Sequence, residues 1–326
     1  MNVYTLPVCI PQVYGFLHHA HKLSIVLENE KNLPWFYSNY LQLYTAEYSN
    51  EFKLDFYSFD GKYPRHPGIN ENWYEKEFFL DMHFNIVPFI INCIKNGRYV
   101  EILMDEYYLS CKPSYQISHF THQSLIYGFD KEEECFLILG FNRSGNFSRI
   151  QASFEEIEKA FHNSSIGGVG FFDCTTSLDY SNSDPSLNLA VIKTYISDFI
   201  HSTNSFLTYN PPGATYGLGI YKELCNRLTL VESFREDIRP IHIILEHKSC
   251  MVNRLRYLQK EGIFTDASYL IDGFSGLVKD VSRIKQVQLK YVLSKKQQLI
   301  NYVIQEILTI MEREEELLHN FLKKLD

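Results

Sequence analysis

The spacing of apolar residues predicts three helices in the first half of the chain. Residues 13–27 carry apolar side chains at helical intervals, and Pro11 just before them suits a first helical turn. A second helix is predicted over residues 86–96, where the apolar run stops at a glycine. The third is predicted over residues 153–161, because Ser153 followed by a glutamate three positions later is a capping-box signature.

Short apolar runs between these helices are typical of strands. They cover residues 99–104, 124–127 and 135–140. The last two are joined by a charged connection, residues 128–134, which favours an antiparallel hairpin. The first half therefore reads as α+β.

A polar stretch rich in turn formers, residues 175–185, marks the predicted domain boundary. We assign residues 1–178 to an α+β domain and residues 185–326 to an all-helical domain. The predicted helices of the second domain are residues 187–200, 216–230 and 240–258, followed by a final stretch without Gly or Pro after residue 276.

The last helix is apolar on two sides. One seam, interrupted by Glu314, contains Ile300, Val303, Ile307, Ile310, Leu317 and Phe321. The other contains Ile304, Leu308, Met311, Leu318, Leu322 and Leu325. A helix with two apolar sides is wedged between neighbours. Two alternatives stay open: a bundle within the chain, or a homodimer formed through this helix.

Composition and charge narrow the function classes. A hydrophobic fraction of 45% with 21% charged residues is typical of a soluble globular protein, and a net charge of −8 argues against a nucleic-acid partner. No apolar run reaches the roughly 20 residues that cross a membrane, and the amino terminus lacks the features of a secretory signal. Seven cysteines without a CxxC pair indicate reduced thiols in the cytoplasm and no structural zinc.

The strongest candidate chemistry lies in residues 105–142. His122 directly precedes one strand of the predicted hairpin, and Asn142 follows the other. Neighbouring strands would bring an imidazole and an amide close enough for the amide to orient the ring. That is the arrangement a general base needs in order to serve a thiol nucleophile from elsewhere in the fold.

These residues resemble the amino-terminal domain of butirosin biosynthesis protein H, a family of papain-like fold. The likeness is carried by DEYYL at residues 105–109, HFTH at 119–122 and YGFD at 127–130. It extends weakly over about half of the chain. In that family the second histidine of the loop is catalytic, which maps onto His122. The resemblance implies a cysteine-dependent acyltransferase that takes an acyl or peptidyl group from a carrier protein and passes it to an amine.

The chain departs from the family pattern at two points. The family nucleophile is a Cys at the start of the first long helix, and neither Tyr14 nor Gly15 is a Cys. Cys9, a few residues upstream, would take that role if the helix begins at Pro11. The family's Asp after the second strand is also absent, so Asn142 is the predicted orienting residue.

Three functions follow as alternatives. The first is an acyltransferase or amide-forming enzyme of natural-product assembly that uses Cys9, His122 and Asn142. The second is a catalytically inactive relative that binds a carrier domain or peptide intermediate, and the third is a cytoplasmic cysteine peptidase. No cofactor is predicted. Histidines occur at positions 18, 19, 21, 119 and 122, but no acidic ligand is placed beside them in the sequence, so no metal site is predicted either.

Overall fold

The structure is a computed structural model. It describes residues 2–48, 51–57, 66–174, 185–206 and 211–325. The chain forms two compact units. The first contains Met1–Lys31 and His66–Asp184, and the second contains Asn32–Arg65 and Pro185–Asp326. The sequence did not indicate that residues 32–65 group with the second unit. Of the predicted linker, residues 175–185, all but Pro185 lie outside the described residues.

The strands and helices of both units follow in chain order. The strands are β1 (Val3–Thr5), β2 (Gln42–Tyr48), β3 (Glu51–Tyr57), β4 (Ile69–Glu75), β5 (Arg98–Asp105), β6 (Thr121–Asp130), β7 (Cys135–Phe141), β8 (Phe147–Ser153), β9 (Gly168–Cys174) and β10 (Thr215–Tyr216). The helices are α1 (Leu17–Val26), α2 (Leu33–Asn39), α3 (Lys76–Asp81), α4 (Ile86–Lys95), α5 (Phe154–His162), α6 (Leu189–His201), α7 (Gly219–Leu230), α8 (Arg239–Lys260), α9 (Ser268–Ser294) and α10 (Gln297–Leu325).

The first unit is built on a seven-stranded sheet in the order β4-β9-β5-β6-β7-β8, with β1 added beside β6. Every pairing in it is antiparallel. Because side chains alternate between the two faces of a strand, each face carries its own apolar cluster. Helix α1 contributes Leu17 and Ala20 to the cluster on one face. Helices α3, α4 and α5 cover the other face.

Local signals in the sequence predicted α4, α5 and the β6–β7 hairpin. Helix α5 has the expected capping box, and the residue after α4, Gly97, has the positive φ of a helix end. The start of the first helix was predicted wrongly. It begins at Leu17, because Phe16 is extended (φ −123°, ψ 134°), and Pro11 lies outside it.

The second unit is not all-helical, which corrects the prediction. Residues 185–206 and 211–325 are helical apart from short 3-10 and loop segments and the two residues of β10. However, β10 pairs with β2, and β2 pairs with β3. Both of those strands are rich in aromatic residues, a composition that favours strands. Their assignment to this unit depends on pairing over more than 150 residues of sequence, which no local pattern predicts.

The two seams of α10 differ in burial. The first is buried within the second unit from Ile300 to Phe321, as a bundle requires. The second is only partly covered, since 37% of Leu308 is exposed. Glu314 interrupts the first seam yet is fully buried, because Lys248 of α8 and Tyr221 of α7 bond to its carboxylate. The homodimer stays a prediction.

None of the described helices combines the length and the apolar character that a membrane span requires.

Candidate functional site

His122 lies near the beginning of β6, at the end of the first unit's sheet. It pairs with Met104 of β5, so the position of its backbone is fixed by the sheet. Its side chain is 33% exposed, and its ring lies 4.9 Å from that of Phe120. The imidazole is therefore accessible from solvent and held on a rigid element, as a functional histidine requires.

The carboxylate that orients His122 belongs to Glu106. This residue opens the 3-10 turn Glu106–Tyr108 directly after β5, and its side chain is buried. Its Oε1 lies 3.2 Å from Nδ1 of His122. A ring N–H that donates to a carboxylate fixes the tautomer and the orientation of the ring. Glu106 belongs to the DEYYL motif of residues 105–109, but the sequence analysis did not predict a functional role for it.

Asn142, the predicted orienting residue, is occupied elsewhere. Its Oδ1 accepts hydrogen bonds from the backbone N–H groups of Ser144 and Asn146, and its Nδ2 donates to Oγ of Ser148. These contacts lie in the turn between β7 and β8 and at the beginning of β8. The sequence placed Asn142 beside the imidazole because both flank the same hairpin, but its hydrogen bonds hold the turn and not the ring.

Lys112 adds a buried cation to the site. Its side chain is fully buried, and its Nζ lies 3.5 Å from Oε1 of Glu106. Glu106 therefore lies between Lys112 and His122. A Cβ at position 140 would lie 3.0 Å from Nζ, so a side chain there would make the ammonium shift by a few tenths of an ångström. Glycine at this position of β7 leaves the space that Lys112 occupies.

A second histidine–carboxylate pair lies next to the first. Nδ1 of His119 is 2.6 Å from Oδ2 of Asp105, and the ring stacks on Tyr107 at 4.4 Å. Burial opposes ionisation of Asp105, but hydrogen bonds from His119 and from the N–H groups of Tyr107 and Phe120 together hold its pKa below the usual value. This pair fastens the loop before β6 and so helps to position His122.

A third pair is buried on the α1 side of the sheet. Nδ1 of His21 lies 2.5 Å from Oε1 of Glu101, and both side chains are buried. Burial lowers the pKa of His21, although the hydrogen bond to Glu101 opposes the shift. The sequence analysis predicted no acidic group beside the histidines at positions 18, 19, 21, 119 and 122. The structure pairs three of them with carboxylates of β5 and the turn that follows it.

Cys9, the predicted nucleophile, is not at a helix amino terminus. Its backbone N–H donates to the carbonyl of Ser24, and its Sγ lies 3.9 Å from the carbonyl oxygen of Leu23. Burial raises the pKa of the thiol, and the carboxylate of Glu28 adds to the shift. The guanidinium of Arg149 opposes this shift in pKa. The dipole argument for Cys9 was wrong because α1 begins at Leu17.

Four of the other thiols, those of Cys111, Cys135, Cys225 and Cys250, are no better activated. Cys111, next to Lys112, has its pKa raised by burial to about 11. Burial also raises the pKa of Cys135, and in the second unit it raises those of Cys225 and Cys250 to about 11 and about 12. The reactive species of cysteine is the thiolate. These thiols are therefore protonated at neutral pH.

The sequence matches no model of a protein family, and comparison with curated proteins also finds no match. The likeness to butirosin biosynthesis protein H accordingly depends only on the three motifs within residues 105–130.

Proposed function

We propose that this chain is a catalytically inactive, papain-like relative of an acyl-transfer enzyme that binds the acyl or peptidyl group of a carrier-protein thioester without reacting with it covalently. One observation carries the proposal. The site around His122 has an oriented imidazole, whereas the predicted nucleophile Cys9 lies outside a helix with its pKa raised. An acyl-enzyme requires a thiolate that attacks the carbonyl carbon. An acyltransferase or a peptidase that used Cys9 as its nucleophile would therefore lack the required thiolate.

The surface around His122 suits an acyl or peptidyl chain. Two apolar side chains of the loop before β6 are exposed: Ile117 to 77% and Phe120 to 49%. Tyr107 and Tyr108 lie beside them at the 3-10 turn, with their rings 5.1 Å apart. Exposed apolar and aromatic groups around a few fixed polar groups are typical of a small-molecule site.

A second candidate is direct acyl transfer without a covalent intermediate, which the Glu106–His122 pair favours. With its Nδ1 proton held by Glu106, the ring offers Nε2 as a base. An amine would attack the thioester carbonyl while Nε2 takes the amine proton. The C–S bond would then break, and the proton would pass to the sulfur that leaves with the carrier. This reaction needs no thiol of this chain.

Binding is tested by calorimetric titration of the whole chain with an acyl-pantetheine amide, in which nitrogen replaces the thioester sulfur. We expect Cys9→Ala to bind like the wild type and His122→Ala to bind about 5-fold more weakly, since a lost hydrogen bond to a polar ligand costs roughly 1 kcal/mol. His162→Ala, an exposed histidine at the end of α5, is the matched control. Equal binding by the wild type and His122→Ala, or loss of binding in Cys9→Ala, would contradict the proposal. A wild type that releases an amide from the true thioester and an amine would favour the second candidate.

A further inference from the structure

Lys112 carries a buried charge whose hydrogen-bonding capacity is unfilled. Its side chain has no exposed surface, and within the described ranges its Nζ has no hydrogen-bond partner. The nearest carboxylate oxygen, that of Glu106, lies 3.5 Å away, so the contact is an ion pair outside hydrogen-bond geometry. An ammonium can donate three hydrogen bonds, and burying it without making them costs free energy of folding. Nζ therefore has donors available for an acceptor that the described part of this chain does not supply.

Ser124 presents a second donor that is buried and unbonded. Its Oγ is enclosed and has no partner in the part of the chain that the structure describes. Ser124 lies two residues after His122 on β6, so both side chains point to the same face of the sheet. Within a strand, such a hydroxyl ordinarily finds a backbone or side-chain acceptor.

Strand register brings these two donors together. The pairs Leu125↔Leu139 and Ile126↔Ile138 join β6 to β7, and continuing that register by one pair sets Ser124 opposite Gly140. Directly opposed positions have Cβ atoms about 5 Å apart on the same face. Since Nζ of Lys112 lies 3.0 Å from the Cβ position of Gly140, it lies over the position opposite the serine. We call Lys112, Ser124 and Gly140 together the donor niche.

The charges around the donor niche select a neutral acceptor. Lys112 is balanced by Glu106, whose other contact is the ring of His122. A carboxylate entering the niche would leave an uncompensated negative charge in a buried site, which is unfavourable. The carbonyl oxygen of a thioester, ester or amide has two lone pairs and no net charge. It can accept one hydrogen bond from each donor.

We propose that the donor niche binds the carbonyl oxygen of the acyl or peptidyl group, through Nζ of Lys112 and Oγ of Ser124. This inference rests on the proposed function and adds the group that the site recognises. Glycine at position 140 is then a specificity-determining residue, because a methyl group there would lie 3.0 Å from Nζ and shift the ammonium relative to the ligand. His122, at the same end of β6, contacts the exposed part of the ligand.

The test uses an acyl-pantetheine amide labelled with ¹³C at the acyl carbonyl, observed by NMR on the full chain. We expect the carbonyl resonance to move downfield on binding to the wild type. Ser124→Ala and Gly140→Ala should reduce that displacement, and Lys112→Met should abolish it and weaken binding about 10-fold or more, as loss of a hydrogen bond to a charged donor predicts. Lys159→Met, an exposed lysine paired with Glu155 on α5, is the matched control and should leave both quantities unchanged.

Ser124→Ala is expected to fold normally, so a loss of the carbonyl signal in this variant cannot be attributed to unfolding. Removing a buried hydroxyl that has no partner should leave the thermal midpoint of the free protein unchanged or raise it. If the amide binds but its carbonyl resonance keeps its value in water, the donor niche is not the carbonyl site, while the proposed function stands. If the amide does not bind at all, both fail. A crystal structure of the complex with an ordered water between Lys112 and Ser124, and the carbonyl elsewhere, would also overturn the inference.

Discussion

Oε1 of Glu106 accepts a hydrogen bond from Nδ1 of His122 over 3.2 Å. Glu106 lies in the turn that follows β5, and His122 lies near the beginning of the neighbouring strand β6. In the neutral ring this bond places the proton on Nδ1 and leaves Nε2 as the accepting nitrogen.

The first prediction concerns this tautomer. We expect ¹⁵N NMR of the wild type to show His122 as the Nδ1-protonated form in the neutral ring. Glu106→Gln should shift the signals toward a mixture of tautomers, because an amide can donate as well as accept. Glu155→Gln, at a largely exposed position of α5, should leave the His122 signals unchanged. Identical tautomer populations in Glu106→Gln and the wild type would show that Glu106 does not orient the ring.

The second prediction concerns thiol reactivity. With a pKa of about 11, Cys111 is only about 0.1% thiolate at pH 8, so alkylation by iodoacetamide should be slow and should rise with pH up to that value. Cys9 should also react more slowly than a free cysteine, since burial raises its pKa. Peptide mapping after timed labelling measures each rate, and the same chain in guanidinium gives the unperturbed reference. Faster labelling of Cys9 in the folded chain would contradict the site described here.

The sequence predicted those parts of the fold that local signals encode. The capping box at Ser153 marks the beginning of α5, and the glycine after α4 marks the end of that helix. Both signals involve only residues close to the helix end, and the structure confirms both. The start of α1 was predicted wrongly, because Pro11 is acceptable both in a first helical turn and in an extended segment. Strand β2 pairs with β10, where Thr45 lies opposite Thr215, and local patterns contain no information on such distant pairing.

The same limit applies to the candidate site. His122 was predicted from the apolar strand that follows it, which is a local pattern. Its partner Glu106 is 16 residues away and is brought to it by the register of β5 against β6. Lys112 lies in a loop, and only the glycine at position 140 of a strand indicates that something approaches there. A glycine inside a strand is a known sign of close approach and could have been used.

The third prediction concerns the buried ion pair of the second unit. Glu314→Gln should lower the free energy of unfolding by roughly 3–5 kcal/mol, because it leaves the ammonium of Lys248 buried without a counter-charge. Replacing both residues together, Lys248→Met with Glu314→Leu, should restore much of that loss. Urea titration measures both effects. The exposed pair of Arg283 and Glu306 is the control, and Arg283→Met should cost less than about 1 kcal/mol. A single variant as stable as the wild type would contradict the buried pair.

The fourth prediction concerns acid stability. Nε2 of His247 donates to the carbonyl of Leu41, and its Nδ1 accepts from Lys248, an arrangement that requires a neutral ring. Burial, together with the charges of Lys248 and Arg254, lowers the pKa of His247 well below 6.5. Below pH 6.5 the unfolded chain therefore takes up a proton that the folded chain refuses.

Stability conferred by the neutral ring is thus complete above about pH 6.5 and is lost as pH falls. One such group changes the free energy of unfolding by at most about 1.4 kcal/mol per pH unit. Burial also lowers the pKa of His21 in the first unit, which adds in the same direction. Urea titrations from pH 7.5 to 5 should show this fall, and His247→Gln should flatten it, whereas His201→Gln, exposed at the end of α6, should not. A stability that rises on acidification would contradict the assigned neutral rings.

The most direct test of the proposed function is the intact mass of the chain after incubation with an acyl-carrier thioester and an acid quench. A binding protein without an activated thiol should keep its unmodified mass at every time, while the amide analogue binds reversibly. An added acyl mass that appears in the wild type and disappears in Cys9→Ala would establish a covalent acyl-enzyme and contradict the account.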